Sequence, residues 1–257
     1  MRATLNFATA PGHQVLAAAG KRILRPGGKA ATEQLFTWAN FQPGETVLEL
    51  AASFGESAIA IAKRFDVCVV GVEKNPGSVA KARENIKSAG LEHQIRIIEG
   101  DIFNLEQITE KFDYVLAEAI LTMQSAKGKA KILSAIRAHL KPGGKFLSQE
   151  MLIRTNNSQV LKSLSATIRV NANPLTLSEW ETACQEAGLT LQQHQTGAMG
   201  LLNFSQMVRD EGLLGVVKIT WNVLTHPNLR QRVLQMRRNF QEHRNYLNYI
   251  VFWAQVM

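Results

Sequence analysis

The chain is short of the features that announce many protein classes. It has only two cysteines, Cys68 and Cys184. Each falls in a segment that reads as ordinary core, a buried strand and an amphipathic helix, where a small apolar thiol is a common choice. They are read as reduced and structural, and no metal site is expected. Long hydrophobic runs are missing as well. The most apolar stretch, Leu213 to Leu224, is interrupted by Lys218, Thr220 and Asn222 and falls short of the roughly 20 residues a spanning helix needs. The opening MRATLNFATAPGHQVLAAAG lacks a charged start followed by a sustained apolar core, so no secretory signal is read and a cytoplasmic location is expected. No internal repeat, low-complexity tract or Pro/Ser-rich linker marks a boundary along the 257 residues.

Acidic residues are outnumbered, 21 against 29 lysines and arginines, for a net charge of +8. Such a surplus favours acidic partners but says nothing of fold. Half of it sits between Leu201 and Arg244, where seven basic residues face three acidic ones.

What is present is a rhythm. From Glu45 onward short apolar, β-rich runs alternate with helical patterns: strand Thr46 to Leu50, helix Glu56 to Phe65, strand Val67 to Glu73, helix Pro76 to Ala89 and strand Gln94 to Glu99. A short helix near Leu105 to Glu110, strand Phe112 to Glu118, helix Ala126 to Leu140 and strand Lys145 to Met151 continue it. Pro43-Gly44, Gly90 and Pro142-Gly143-Gly144 punctuate it. Strands separated by helices of this length predict βαβ crossovers and a mostly parallel, doubly wound sheet covered on both faces.

After Met151 the pattern changes. A helical stretch, Asn156 to Val170, leads to helix Leu177 to Ala187 and strand Leu189 to Gln195. About 40 helical residues then precede a last strand, Tyr246 to Trp253. The expectation is an α/β Rossmann-like fold with a seven-stranded sheet, a helical cap over 196–245 inserted between late strands, and N-terminal helices. One domain then covers the chain: a front segment 1–44, a core 45–152, the cap, and the last strand in 246–257.

In such a sheet ligands bind beyond the carboxyl ends of the strands, where strand order reverses. Reading strand ends alone gives Glu49-Leu50 opening into Ala51-Ala52-Ser53-Phe54-Gly55, then Glu73-Lys74-Asn75, Glu99-Gly100-Asp101-Ile102, Glu118-Ala119 and Gln149-Glu150. An acid some 20 residues past the first loop can accept hydrogen bonds from both ribose hydroxyls. Asp101 can accept from an adenine amino group, and the next backbone N–H can donate to a ring nitrogen. The first loop holds one glycine, Gly55, and Glu56 puts a negative charge in the first turn of the helix that follows. Both features oppose a pyrophosphate, which needs close backbone approach and a free helix N-terminus. They point to a cofactor without phosphates.

At this point the residues resemble the class I S-adenosylmethionine-dependent methyltransferases. The family's glycine-rich loop is matched by ELAASFG, its ribose acid by Glu73 in VGVEKNP, and its adenine site by EGDIF. FDYVLAEA matches the fourth strand and LKPGGKF the turn before the fifth. The front segment ILRPGGKAATEQLF resembles the corresponding stretch of the small-molecule branch near arsenite and quinone-ring methyltransferases. The resemblance implies that Glu49, Ala51, Ala52, Ser53 and Gly55 hold the methionine part of S-adenosylmethionine, and that Glu73, with Lys74 and Asn75, holds the ribose. Asp101 and Ile102 would hold the adenine. The Glu118-Ala119 backbone, with Gly27, Gly28 and Thr32, would close over the amino-acid end, and S-adenosyl-L-homocysteine would be the product. Where the family has glycines, this loop has Ala51 and Ser53; alanine disfavours positive φ, so the loop is expected in conformations open to L-residues, or else the pocket is remodelled.

The function expected is in-line methyl transfer to a small-molecule oxygen, nitrogen or carbon, with Glu118, Glu150 and His13 as candidate bases or substrate-orienting groups. Competing readings are a nucleic-acid methyltransferase, supported by the basic cap, and a non-catalytic binder of the same cofactor. Against nucleic acid, the place after the fourth strand reads Glu118-Ala119-Ile120-Leu121, not the Pro-Pro-aromatic run that stacks a flipped base. A further reading is weak attachment to an anionic membrane through Arg230, Arg232, Arg237 and Arg238. The oligomeric state is not legible.

Overall fold

The computed structural model describes residues 5–256. In chain order the elements are α1 (Gly12–Ala19), α2 (Gly28–Ala39), β1 (Thr46–Leu50), α3 (Glu56–Phe65), β2 (Cys68–Glu73), α4 (Pro76–Ala89), β3 (Ile95–Glu99) and β4 (Phe112–Glu118). A 3-10 turn at Leu121–Met123 is followed by α5 (Ala126–His139), β5 (Leu140–Ile153), α6 (Ser158–Ile168), α7 (Leu177–Glu186), β6 (Leu189–Ala198), α8 (Phe204–Thr225), α9 (Pro227–Glu242) and β7 (Leu247–Val256).

The seven strands form one sheet in the order β3-β2-β1-β4-β5-β7-β6. Pairs from β3 through β5 are parallel, and β7 runs antiparallel between β5 and β6. The central strands are apolar on both faces: Val47, Leu48 and Leu50 of β1 and Val115, Leu116 and Ala117 of β4 are buried. That is the pattern of a parallel strand covered by helices on each side. Strand order reverses between β1 and β4, which sets the ligand crevice at their carboxyl ends.

Helix starts follow local chemistry. Asn75 accepts the Ser78 N–H at 2.9 Å as the N-cap of α4, with Pro76 at the first helical position and Gly90 left-handed at the end. Thr176 and Glu179 close a reciprocal capping box on α7.

The cap, α8 and α9, leaves the sheet after β6 and returns as β7. It packs on the front segment: Val15, Leu16 and Ala19 of α1 share a core with Ile219, Leu229 and Met236. Two cap acids clasp the front segment further. Glu211 Oε1 accepts the backbone N–H groups of Arg22 at 3.0 Å and Ile23 at 2.9 Å, and Asp210 Oδ1 accepts that of Lys29 at 2.8 Å.

Four local expectations are corrected. No helix forms near 105–110; isolated turn bonds such as Ile108 N–H to Leu105 C=O are made instead, while Leu105 and Ile108 pin the loop to the core. The fifth strand begins at Leu140, with a register shift where it meets β4. Cys68 is exposed, not buried, whereas Cys184 is buried and its thiol is pushed up to about 12 by desolvation. Arg232, one of the four arginines read as able to meet an anionic membrane, is buried and donates to the Thr167 carbonyl at 3.0 Å.

Candidate active site

A cavity of about 810 Å3 opens at the reversal of strand order, within the roughly 300–1,000 Å3 of ligand pockets. One wall is made of strand ends: Glu49 to Phe54 after β1, Glu73 to Asn75 after β2, Asp101 to Phe103 after β3, and Glu118 to Ile120 after β4. The rest is made by Leu16 and Leu24 of the front segment, Met123 of the 3-10 turn, Met199 after β6, and Met236 and Phe240 of the cap.

The glycine-poor loop keeps left-handed backbone in spite of its sequence. Ala51 has φ 56° and Ser53 φ 50°, and Ala119 after β4 has φ 56°. This corrects the expectation of conformations open to L-residues, and such geometry costs roughly 1–2 kcal/mol at each residue. The loop is tied where it turns. The Ala52 N–H donates to the Val72 carbonyl, and the Ser53 N–H donates to Glu73 Oε2 at 2.9 Å. Glu73 Oε1 accepts the Asn75 N–H at 2.8 Å. The second-strand acid therefore braces the first loop while keeping spare lone pairs toward the cavity. Glu56, in the first turn of α3, also lines the cavity and makes that helix end a poor seat for phosphate.

Asp101 accepts the Phe103 N–H at 3.0 Å and pairs with Lys74 Nζ at 2.7 Å. The hydrogen bond from Lys74 holds its carboxyl below the usual range.

Glu49 is the unsatisfied group of the site. It is buried at the cavity wall, and its Oε2 has no hydrogen-bond partner among the described residues. Burial, then the nearby Glu118 charge, pushes its carboxyl up to about 8. A buried acid at a cavity wall, with one oxygen left unpaired, is suited to a cationic group.

Glu118 reaches the cavity with both oxygens committed. Oε1 accepts from Thr32 Oγ1 at 2.6 Å, Arg25 Nη1 at 3.2 Å and Gln149 Nε2 at 3.2 Å; Oε2 accepts from Ser57 Oγ at 2.7 Å. Those four donors fix the carboxylate in place against the wall. Glu150 is excluded as a base: it is fully buried, away from the cavity lining, and accepts from the backbone of Ile120, Leu121 and Thr122. The reading of Glu150 as a base or substrate-orienting group is thereby corrected, since it braces a turn, while Glu118 organises the wall.

Gly27, Gly28, Thr32 and Gly55 lie behind the cavity lining. The Gly27 N–H donates to Gln149 Oε1 at 2.9 Å. A Cβ on Gly28, whose φ is 67°, would come within 2.5 Å of Asp210 Oδ1. The glycine pair thus lets the cap clasp the front segment, and Arg25 and Pro26 line the cavity in its place. His13 of α1 does stand at the rim. Desolvation draws its pKa below the ordinary value, outweighing the opposite pull of Glu73.

The residues that sequence reasoning gave no role are Arg25 and Ser57, which with the strand-end Gln149 fasten Glu118, and the cavity's methionines, which include Met151. Arg25 stood within the quoted ILRPGGKAATEQLF. The methionines carried no signal, since their spacing follows only from the fold.

A sequence profile for the methyltransferase domain matches residues 41–206. An uncharacterized protein of Haemophilus influenzae is 34% identical over 95% of this chain and 97% of its own. The dual O-methyltransferase/FAD-dependent monooxygenase CTB3 of Cercospora beticola is 28% identical over 65% of this chain but only 21% of its own length. The fold is also that of a methyltransferase structure from Geobacter sulfurreducens solved with S-adenosyl-L-homocysteine, with TM-score 0.73, 17% identity, and coverage of 95% of this chain and 98% of that one. The chain belongs to the methyltransferase-domain family and is a class I S-adenosylmethionine-dependent methyltransferase.

Proposed function

We propose that the protein methylates a small, largely apolar acceptor held between its strand ends and its cap. The observation that carries this reading is the continuity of one cavity, lined both by polar strand ends with an unpaired buried carboxylate and by Met123, Met151, Met199, Met236 and Phe240. Methionine and phenylalanine side chains offer an adaptable apolar surface and few polar anchors. A basic, phosphate-tracking groove would look different.

S-Adenosylmethionine supplies a methyl group on a sulfonium whose leaving group is a neutral thioether. This chain's residues bind and orient. Glu49 receives the ammonium end with its carboxylate, Glu73 accepts from the ribose hydroxyls, with Lys74 and Asn75 bordering that site, and Asp101 with the Ile102 N–H meets the adenine edge. Ala51, Ala52, Ser53 and the Ala119 backbone flank the methionine part, while Gly27, Gly28, Thr32 and Gly55 act from behind by holding loop and lid. The cap and α1 exclude water and set the acceptor in line with the methyl group. Where the acceptor must lose a proton, His13 takes it as the neutral imidazole. The cytoplasmic setting read from the sequence belongs with this proposal. Among the described residues no helix is long and apolar enough to cross a membrane.

Two measurements test it. Calorimetric titration with S-adenosylmethionine should give saturable binding, and none at high micromolar ligand would sink the reading. Purified protein given methyl-labelled donor and fractionated host metabolites should place label in an organic-extractable small-molecule fraction; label lost on nuclease treatment would overturn the acceptor class.

A further inference from the structure

We propose that α8 beyond Gly212 docks the protein on an anionic lipid surface. Gly212 (φ 72°, ψ 169°) breaks the helix, so residues 213–225 leave in a direction of their own, about 20 Å long at 1.5 Å per residue. Two apolar faces run along this segment. One is used internally: Val216 and Ile219 are buried, Ile219 shares a core with α1 and α9, and Asn222 Nδ2 donates to the Ala19 carbonyl at 3.1 Å. The other is bare. Leu213 is 70% exposed, Leu214 88%, Val217 66%, Trp221 67% and Leu224 58%. At 100° per residue these five fall on one arc about 100° wide, the width of a stripe that normally meets a partner.

Charge decides the partner. Between Leu213 and Thr225 the only charged residue is Lys218. The cap's other acids point inward, with the Asp210 and Glu211 side chains each 1% exposed against Lys21. The solvent-facing charges of 201–244 are therefore Arg209, Lys218, Arg230, Arg237, Arg238 and Arg244 against Glu242 alone. A leucine and tryptophan stripe on a cap whose exposed charges are nearly all basic matches an anionic membrane interface, where the apolar face sinks into the headgroup boundary and cations meet lipid phosphates. A second copy of the chain fits poorly. A stable interface takes about 20–30 residues a side, far more than this stripe offers, and pairing would bring two basic caps together. The earlier arginine reading is narrowed in the process, because Arg232 is committed to the interior.

The test is sedimentation with vesicles of phosphatidylcholine alone or mixed with phosphatidylglycerol. The intact protein should bind the mixed vesicles, with a blue shift of Trp221 emission, and bind neutral vesicles at least about tenfold more weakly. Leu214→Glu with Trp221→Glu should lower binding to mixed vesicles at least about tenfold, while Tm and S-adenosylmethionine binding stay unchanged because neither residue lines the cavity. That cofactor titration separates failure here from failure of the catalytic proposal. Equal binding to both vesicles, no binding, or a concentration-dependent dimer that the double variant abolishes would each overturn the inference.

Discussion

Glu150 and Thr122 are locked together beneath the active-site wall: Glu150 Oε2 accepts from Thr122 Oγ1 at 2.6 Å and from the Thr122 backbone N–H at 2.8 Å. The other oxygen takes the N–H groups of Ile120 and Leu121, so one buried side chain satisfies a whole turn. Burial raises its pKa against the pull of those donors. Glu150→Ala strands three backbone donors and should destabilise the protein by about 2–4 kcal/mol, given about 1–3 kcal/mol for each unpaired buried polar group and partial rescue by water. Urea unfolding reads this directly. A stable Glu150→Ala protein lacking methyl transfer would return the residue to the chemistry.

Glu49 gives a pH signature of opposite sign to the usual carboxylate. Its folded pKa, about 8, lies above its ordinary value of 4.5, so between these pH values the native state holds more protons than the unfolded chain. Stability contributed by the neutral acid is complete below about pH 4.5 and is lost as pH rises through about 8. Glu49→Gln keeps the side chain neutral throughout. The variant's advantage in unfolding free energy should grow across this window to the order of a few kcal/mol, while its affinity for S-adenosylmethionine falls about tenfold or more. Cofactor binding by the parent protein should also release protons near pH 7, seen as a dependence of titration heat on buffer ionisation enthalpy. A flat difference between variant and parent from pH 5 to 8 would contradict the assignment.

His13 is the base left once Glu118 and Glu150 are committed elsewhere. Because desolvation lowers its pKa, it should be neutral at pH 7, and kcat/KM should fall on acidification with a midpoint below 6.5. His13→Gln should flatten that limb and reduce kcat about 10²-fold, at the low end for a positioned base, with Tm within about 1 °C because the ring stands at the rim. An acid limb that survives the substitution belongs to another group.

The parallel core was legible because its strands are nearly unbroken β-branched and leucine runs such as Val69-Val70 and Val115-Leu116, bounded by helix caps that act within a few residues. The site was legible to the extent that it lies at strand ends. Long-range partners were not: Arg25 meets Glu118 across 93 positions, and nothing local announces it. Leu105 and Ile108, spaced like one face of a helix, instead anchor a loop, because apolar spacing of three also suits successive turns pressed onto a sheet. Glu118 reaches the cavity as its strand-end position suggests, whereas Glu150 turns into the interior; which donors surround each is a property of the folded chain.

The loop residues Ala51 and Ser53 offer the most discriminating substitution, because strain and preorganisation predict opposite results from packing. Both sit at positive φ, where an L side chain costs roughly 1–2 kcal/mol and glycine costs little sterically but loses about 0.5–1 kcal/mol of chain entropy on folding. Ala51→Gly and Ser53→Gly should therefore each leave stability level or raise it by up to about 1 kcal/mol. Ala51→Val, adding a β-branch at φ 56°, should lower stability by about 1–3 kcal/mol. The loop's hold on the cofactor should move independently of these values. Ser53 keeps its N–H on Glu73 in either form, so Ser53→Gly should change affinity by less than about threefold. If both glycine variants lose more than about 1 kcal/mol in urea unfolding, the methyl and hydroxymethyl groups are packing elements, and the sequence departed from glycine there to fill space at the expense of backbone ease.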